Sequence, residues 1–161
     1  MEIRFELETD FSAVRALHLS AFPTAGEGDL VDALHRDGDA VISLVAVDDV
    51  VVGHVMYSRM RAPFRALGLA PVAVCSDHRR QGVGDRLIRA GLVQAKKDGW
   101  EAVFVLGSPD YYSRFGFAAA LASGFQSPYA GPYLMVLALQ DSGLPVTTGA
   151  VSYAPAFGDL D

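Results

Sequence analysis

Arg79-Arg80-Gln81-Gly82-Val83-Gly84 follows an apolar run over residues 67–75 and leads into an amphipathic run that begins at Val83. A strand, a glycine-containing loop and a helix in this order place free backbone N–H groups at a helix N-terminus, where phosphate binds well. The two glycines let the main chain approach a ligand that a Cβ atom would hold away. The two arginines add positive charge to the same turn. The stretch therefore predicts an anion-binding pocket between a buried strand and a helix.

Two other phosphate-binding motifs do not fit this loop. A Walker A loop requires Gly-Lys followed by Ser or Thr, and this stretch has no such triplet. A dinucleotide fingerprint requires a third glycine at the position that Leu87 occupies. On spacing alone, a tight strand-to-helix turn without a ligand is an equally good interpretation. The loop therefore needs support from elsewhere in the chain.

The composition indicates one globular domain that spans residues 1–161. Of the 161 residues, 51% are hydrophobic and 20% are charged, which is typical of a chain with a buried core. The net charge of −6 and the pI near 5.1 argue against non-specific nucleic-acid binding, so we expect no nucleic-acid partner. No apolar run has the length of a membrane span, and the N-terminal residues lack the character of a signal peptide. We therefore expect a cytoplasmic protein without a membrane partner.

Hydrophobic periodicity and turn residues predict the element order β-α-α-β-β-β-α-β-α-β-β. The strands 41–47 and 50–60, on either side of Asp48-Asp49, are expected to form an antiparallel hairpin. The strand 67–75, the helix 83–97 and the strand 102–106 are expected to form a right-handed β-α-β unit with parallel strands. The predicted fold class is therefore α/β (α+β), with a mixed central sheet flanked by helices.

A second motif follows the strand 102–106 and reads Pro109-Asp110-Tyr111-Tyr112-Ser113-Arg114-Phe115-Gly116-Phe117. This motif, the Arg/Gln-x-x-Gly-x-Gly/Ala spacing of the loop and the element order together resemble the GCN5-related N-acetyltransferase (GNAT) family, over roughly residues 3–139. The form Pro-x-Tyr-Tyr-x-Arg-Phe-Gly-Phe is similar to one subgroup, the YhbS-type predicted N-acetyltransferases. The resemblance implies an acyltransferase fold and enzyme, with acetyl-CoA as the co-substrate.

The resemblance assigns a donor site to two neighbouring segments. In this family the strand before the loop splays from its neighbour, and its free main-chain groups pair with pantetheine amides while an N–H polarises the thioester carbonyl. An ordinary central strand is the alternative, which the side chains alone do not exclude. The positions implied as contacts of acetyl-CoA are Val72, Ala73 and Val74 on the strand, and Arg79, Arg80, Gln81, Gly82, Val83 and Gly84 at the pyrophosphate.

Tyr112 stands four residues before the glycine of the Gly116-Phe117 pair, where family members commonly carry a tyrosine near the CoA sulfur. The resemblance implies that Tyr112 donates a proton to the departing thiolate, a role that suits a phenol O–H. The alternative is that Tyr111 and Tyr112 are packing and surface aromatics.

The second motif departs from the commoner family pattern. Many members have an asparagine after the strand 102–106 that contacts CoA, whereas this chain has Gly107-Ser108-Pro109. Ser108 either replaces that contact or serves as a helix cap. Arg114 and Phe115 are implied as residues that flank the CoA nucleotide.

The acceptor is expected to be an amine on a small molecule or peptide, which the sequence does not identify. Glu27, in the predicted loop 23–28 beside the acceptor cleft of this fold, is the candidate general base, although a solvated acid in a first helical turn explains it equally well. Cys75 would need a base partner to act as a nucleophile, and a buried apolar-like thiol is the better interpretation. The four histidines lie on different predicted elements, so no metal site is expected.

Three functions remain open from the sequence. The first is N-acetyl transfer from acetyl-CoA by direct attack of an amine in a ternary complex. The second is a catalytically weak or inactive acyl-CoA-binding regulatory module, and the third is an interaction domain whose glycine loop is structural. The apolar late strands 133–139 and 149–153 could pair between subunits, so a homodimer is a further expectation.

Overall fold

The computed structural model describes residues 1–160, and within them eight strands and five α-helices follow the predicted order with two short additions. The strands are β1 Glu2–Phe5, β2 Ala40–Asp48, β3 Val50–Arg59, β4 Ala66–Val74, β5 Ala102–Leu106, β6 Phe125–Gln126, β7 Leu134–Ala138 and β8 Gly149–Ala150. The helices are α1 Phe11–Ala21, α2 Gly26–Asp37, α3 Val83–Lys97, α4 Pro109–Tyr112 and α5 Ala119–Ala122. Short 3-10 turns lie at Glu8–Asp10, Ser76–His78, Ser113–Phe115 and Pro155–Leu160.

Six of the strands form one mixed sheet in the order β1-β2-β3-β4-β5-β7. β4 and β5 are parallel, and the other neighbours are antiparallel, including the predicted hairpin of β2 and β3. The mixed α+β sheet expected from the sequence is confirmed. The late strand 149–153 is a correction: only Gly149–Ala150 is a strand, and it pairs with β6 in a separate two-stranded sheet. Ser152 leaves that sheet to bridge Arg61, which ends the strand early.

β4 and β5 separate after three paired positions. Residues 66–68 of β4 pair with residues 102–104 of β5, and the pairing then stops. β4 continues to Val74 along β3, whereas β5 continues to Leu106 along β7. Beyond Gly68, the β5-facing edge of β4 has no strand partner in the described part of the chain. This stretch is called the open edge of β4 below.

Helices cover both faces of the sheet and fix the ends of β4. α3 buries Leu87 and Ile88 against one face, and the Tyr57 hydroxyl donates to the Ile88 carbonyl at 2.7 Å. α1 and α2 cover the other face with side chains such as Val14 and Leu34. The α3 N-terminus is thereby held next to the C-terminal end of β4. Within residues 1–160, no helix is both long enough and apolar enough to cross a membrane.

Three local predictions need correction. α2 begins at Gly26, so Glu27 lies in the first turn of a helix and not in a loop; Glu27 and Asp29 favour this start because acids stabilise a helix N-terminus. The strand predicted over 67–75 is shifted by one residue, because β4 begins at Ala66 and ends at Val74. α5 and β6 are too short to give a periodic signal, and the sequence did not predict them.

Candidate active site

A pocket of about 380 Å³ lies at the N-terminus of α3. Gly82 precedes the helix with a φ of +78°, and the first helical bond runs from the Arg86 N–H to the Gly82 carbonyl at 3.0 Å. The N–H groups of the residues from Gly82 to Asp85 therefore have no helical acceptor. The pocket lining is Val74, His78, Arg79, Arg80, Gly82, Val83, Gly84, Asp85, Tyr111 and Arg114. The expected anion pocket thus has the required donors and charges.

Three arginines and one aspartate line this pocket, so positive side-chain charges exceed negative ones. The Tyr111 hydroxyl donates to Asp85 Oδ1 at 2.7 Å, and burial together with this bond raises the pKa of Tyr111. The Arg114 guanidinium lies 4.4 Å from the Tyr111 ring centroid and 3.5 Å from Asp85 Oδ2. Arg79 Nε donates to the Val74 carbonyl at 3.2 Å, which holds that side chain at the end of β4. With Arg80, these groups give the pocket a net positive charge.

Six of the residues expected to contact acetyl-CoA do not line this pocket: Val72 and Tyr112 line a second cleft described below, and Ala73, Gln81, Ser108 and Phe115 line neither. The Gln81 amide donates to the Asp77 carbonyl at 3.2 Å and so holds the loop. Phe115 is buried in the core and packs behind the two tyrosines of α4. Ser108 occupies the position before α4, where its carbonyl accepts two helical N–H groups and its side chain makes no capping bond.

The open edge of β4 joins this pocket to a second cleft. Val72 lines the second cleft and Val74 lines the anion pocket. On its other edge, β4 pairs Val72 with Val55 and Val74 with Gly53 of β3. The main-chain groups of residues 72–74 that face the open edge therefore form a short track between the two sites, and Arg79 already donates to the Val74 carbonyl at one end of it.

The second cleft, of about 270 Å³, opens where β4 and β5 part. It lies between the start of α2, the open edge, the end of β5 and α4. Its lining is Phe22, Glu27, Leu30, Leu69, Ala70, Pro71, Val72, Leu106 and Tyr112. The structure thus brings Tyr112, Glu27 and Val72 together. Phe22, Leu30 and Leu106 carry no motif that predicts a site, because apolar residues at such spacing are typical of ordinary core positions.

Tyr112 is fixed at this cleft by aromatic packing. Its ring lies 4.9 Å from that of Tyr111 and 5.9 Å from that of Phe117, both edge to face. A Cβ atom on Gly107 would come within 2.6 Å of the same ring, so glycine is needed there. Burial raises the pKa of Tyr112, which keeps the phenol protonated at neutral pH. Tyr112 therefore lines the cleft with a phenol that is protonated at neutral pH.

Glu27, in the first turn of α2, also lines this cleft. Its Oε2 atom is buried and has no hydrogen-bond partner in the described residues. A carboxylate oxygen in this condition is expensive to bury unless a donor or a cation approaches it. The arrangement suits a group that receives a proton or pairs with an ammonium.

His78 lies next to Cys75 as a possible base partner. Its Sγ lies 3.0 Å from His78 Nδ1, and His78 Nε2 lies 3.1 Å from Asp48 Oδ2. The thiol is only half-buried, unlike the buried apolar-like thiol expected from the sequence. However, these three residues lie at the anion-pocket end of β4, and none of them lines the cleft that contains Tyr112.

Three histidines that are far apart in the sequence belong to one buried network. His18 Nε2 and His54 Nδ1 are 2.8 Å apart, and Ser43 Oγ lies 2.8 Å from His54 Nε2. Ser43 and His35 both donate to Glu6 Oε1, at 2.6 and 2.8 Å. Burial and the charge of His54 lower the pKa of His18 to about 3. Burial alone would raise the pKa of Glu6, but the bonds from His35, His54 and Ser43 hold it below its usual range.

This network does not form a metal site. Across residues 1–160, no group of three or more His, Cys, Asp or Glu side chains has an arrangement that could hold a metal ion. The four histidines lie on separate elements, as predicted, but the fold brings His18, His35 and His54 together.

A split between parallel strands, joined to an anion pocket at a helix N-terminus, is the architecture of an acyltransferase that takes its acyl group from a CoA thioester. The model of the family described as acetyltransferase (GNAT) family matches residues 6–117. The chain therefore belongs to the GNAT family of acetyltransferases. Three predictions from the sequence are therefore confirmed: membership of the GNAT family, the GNAT fold and an acyltransferase.

Several relatives are similar over most of their length. The chain is 35% identical over 164 residues to the Escherichia coli K12 N-acetyltransferase YhbS, with 98% of each protein covered. It is 36% identical over 135 residues to the N-acetyltransferase YjhQ of the same organism, covering 78% of this chain and 74% of YjhQ.

Two solved structures of similar proteins contain the CoA group. A crystal structure of E. coli YhbS in complex with CoA matches with a TM-score of 0.91 at 34% identity, over 98% of this chain and 91% of that one. A GNAT family acetyltransferase from Brucella melitensis in complex with acetyl-CoA matches with a TM-score of 0.82 at 33% identity, over 97% of each chain.

Proposed function

We propose that this protein transfers the acetyl group of acetyl-CoA to an amine that attacks the thioester directly in a ternary complex. The observation that carries the proposal is the open edge of β4, which joins the anion pocket at α3 to the cleft that holds Tyr112 and Glu27. A donor with an anionic end and a reactive thioester end needs two such sites with a polar track between them. The similar proteins with bound CoA and acetyl-CoA support the same donor.

The proposed donor site follows from these contacts. The pyrophosphate accepts hydrogen bonds from the free N–H groups at the start of α3 and lies among Arg79, Arg80 and Arg114. The pantetheine amides pair with the main chain of residues 72–74, as an added strand would. Gln81, Ser108 and Phe115 support the loop and α4 from behind the donor.

The proposed chemistry needs three proton transfers before Glu27 returns its proton to solvent. Glu27 accepts a proton from the acceptor ammonium, and the free amine nitrogen then attacks the thioester carbon. An N–H of the open edge stabilises the oxyanion that forms. When the C–S bond breaks, Tyr112 donates its proton to the CoA thiolate and regains one from the nitrogen of the new amide. The products are an N-acetylated amine, CoA with a free thiol, and one proton on Glu27 that passes to solvent.

The two adjacent tyrosines provide a matched test. Tyr112→Phe removes the proposed acid, so kcat should fall by at least about tenfold while the calorimetric Kd for CoA changes little. Tyr111→Phe removes the bond to Asp85 in the anion pocket, so it should alter the Kd for CoA and leave the acid step in place. Equal kcat values for Tyr112→Phe and the parent protein would refute the acid role.

The same measurements separate the proposal from a regulatory acyl-CoA-binding module. If the protein binds acetyl-CoA in calorimetry but forms no N-acetyl product with any amine, the binding module is the better description. If it does not bind acetyl-CoA at high micromolar concentration, the donor site itself is refuted.

Two further expectations belong to this proposal. We expect the enzyme to act in the cytoplasm, which fractionation of expressing cells would test. A homodimer in which β7 pairs between subunits would have to accommodate one contact within the chain, because Ala118 already pairs with Val136 on the outer edge of β7. Light scattering on the purified protein would determine the oligomeric state.

A further inference from the structure

The cleft beside Tyr112 combines one carboxylate with an apolar lining. Of its nine lining residues, only Glu27 and Tyr112 carry a polar side-chain group. Its volume of about 270 Å³ is just below the range of roughly 300–1,000 Å³ that is usual for small-molecule sites. The acceptor must reach this cleft, because the proposed acid and the proposed base both line it.

Glu27 offers one negative charge to a ligand. Its Oε2 atom is buried and unpartnered in the described residues. The guanidinium that extends from α1 towards α2 belongs to Arg15, and it is already paired with Asp29 at 2.9 Å and Asp32 at 2.8 Å. Because a buried carboxylate oxygen without a partner needs a cation or a donor, the cleft suits a ligand with one ammonium group.

The apolar residues of the lining determine which kind of group, attached to that ammonium, fits the cleft. A second ammonium group, or a sugar hydroxyl, would find no polar side chain at Phe22, Leu30 and Leu106 to replace its water. A phenyl or alkyl group in the same place is removed from water at a gain in free energy. The lining therefore disfavours polyamines and amino sugars and favours an amine on a hydrocarbon body.

We propose that the acceptor is a primary monoamine on an aromatic or alkyl body, of the phenethylamine or hexylamine class. Its nitrogen lies at Glu27, and its body packs against Phe22, Leu30 and Leu106. This inference rests on the proposed acetyl transfer and adds the class of acceptor. The group transfer is the one described above: a C–N bond forms, the C–S bond breaks, and CoA leaves as its thiol.

Steady-state kinetics with saturating acetyl-CoA and four acceptors test this class. The acceptors are phenethylamine, hexylamine, spermidine and glucosamine, and the N-acetyl products are measured by mass spectrometry. The value of kcat/KM for the two apolar monoamines should exceed that for spermidine and glucosamine by at least about tenfold, because the polar acceptors bury unpaired groups. The Kd for CoA is measured by calorimetry on the same preparation.

A matched pair of leucine variants tests the apolar wall. Leu106 lines the cleft and is 45% exposed, so Leu106→Ser should fold normally and raise the KM for phenethylamine by roughly threefold to tenfold, with the Kd for CoA unchanged. Leu121 on α5 is 38% exposed and lies outside the cleft, so Leu121→Ser should change neither value.

The outcomes separate this inference from the function on which it rests. Faster turnover of spermidine or glucosamine than of phenethylamine, with CoA binding intact, would overturn the acceptor class and leave acetyl transfer standing. CoA binding without acetylation of either apolar monoamine would also overturn the class. A protein that does not bind CoA would overturn the proposed function itself.

Discussion

Gly84→Ala should make the protein more stable and its donor site weaker. Gly84 is the second residue of α3, and a Cβ atom there would lie 3.6 Å from the Tyr111 hydroxyl and 3.8 Å from Val74 Cγ2, which are ordinary contacts. Alanine is favoured over glycine in a helix by up to about 1 kcal/mol. For a domain of this size, that gain corresponds to a rise in Tm of up to about 4 °C. Calorimetric unfolding without ligand measures it.

The methyl group that Gly84→Ala adds should weaken CoA binding, although it stabilises the fold. Gly84 lines the anion pocket, so a Cβ atom would occupy space that the pyrophosphate needs to reach the main-chain N–H groups. The loss of one such charge-assisted hydrogen bond costs about 1.5–3 kcal/mol, so the Kd for CoA should rise by at least about tenfold.

Gly82→Ala is the matched control for the stability effect. Gly82 has a φ of +78° with open space around its Cβ position, so alanine is strained there and should lower the Tm. If Gly84→Ala lowered the Tm, or left the Kd for CoA unchanged, the role given to this glycine would be refuted.

Two more predictions concern side chains outside the proposed chemistry. Cys75→Ala should retain turnover within about twofold, because the thiol lies at the anion-pocket end of β4; loss of most activity would instead favour an acyl-cysteine intermediate. The unfolding free energy should fall as the pH drops from about 6.5 to 5, by up to about 1.4 kcal/mol per pH unit. The reason is that His18 takes up a proton in the unfolded chain over this range, whereas in the folded protein burial and the charge of His54 hold the pKa of His18 near 3. Urea unfolding of His18→Gln over this pH range should give a shallower slope, and an unchanged slope would exclude His18 as the cause.

The parts of the fold that the sequence predicted best are those with strong local signals. α3 covers Val83–Lys97 and β5 covers Ala102–Leu106, which are the bounds that the sequence pattern predicted. An amphipathic helix and a short buried strand carry their burial pattern in consecutive residues. The start of α2 was missed, because Gly26 and Gly28 read as loop residues while the first-turn acids act through the helix dipole.

Tertiary pairing explains what local patterns did not predict. His18 and His54 are 36 positions apart and meet only because α1 packs across β3. Nothing in their own neighbourhoods indicates the contact. The point where β4 leaves β5 is hidden in the same way, because β4 is apolar on both sides of Gly68.

The donor and acceptor halves of the site differ in how far sequence can describe them. The donor half depends on main-chain groups at a helix N-terminus, and that requirement leaves a fixed spacing of glycines and arginines. The acceptor half depends on side chains from α2, β4, β5 and the turn at Phe22, brought together by the separation of two strands. Leucine and phenylalanine serve equally in a core and in a binding cleft, so only the location of the open edge distinguishes the two uses. Since Glu27 is the single carboxylate in that apolar setting, the residues that carry no motif are the ones that should decide which amine is acetylated.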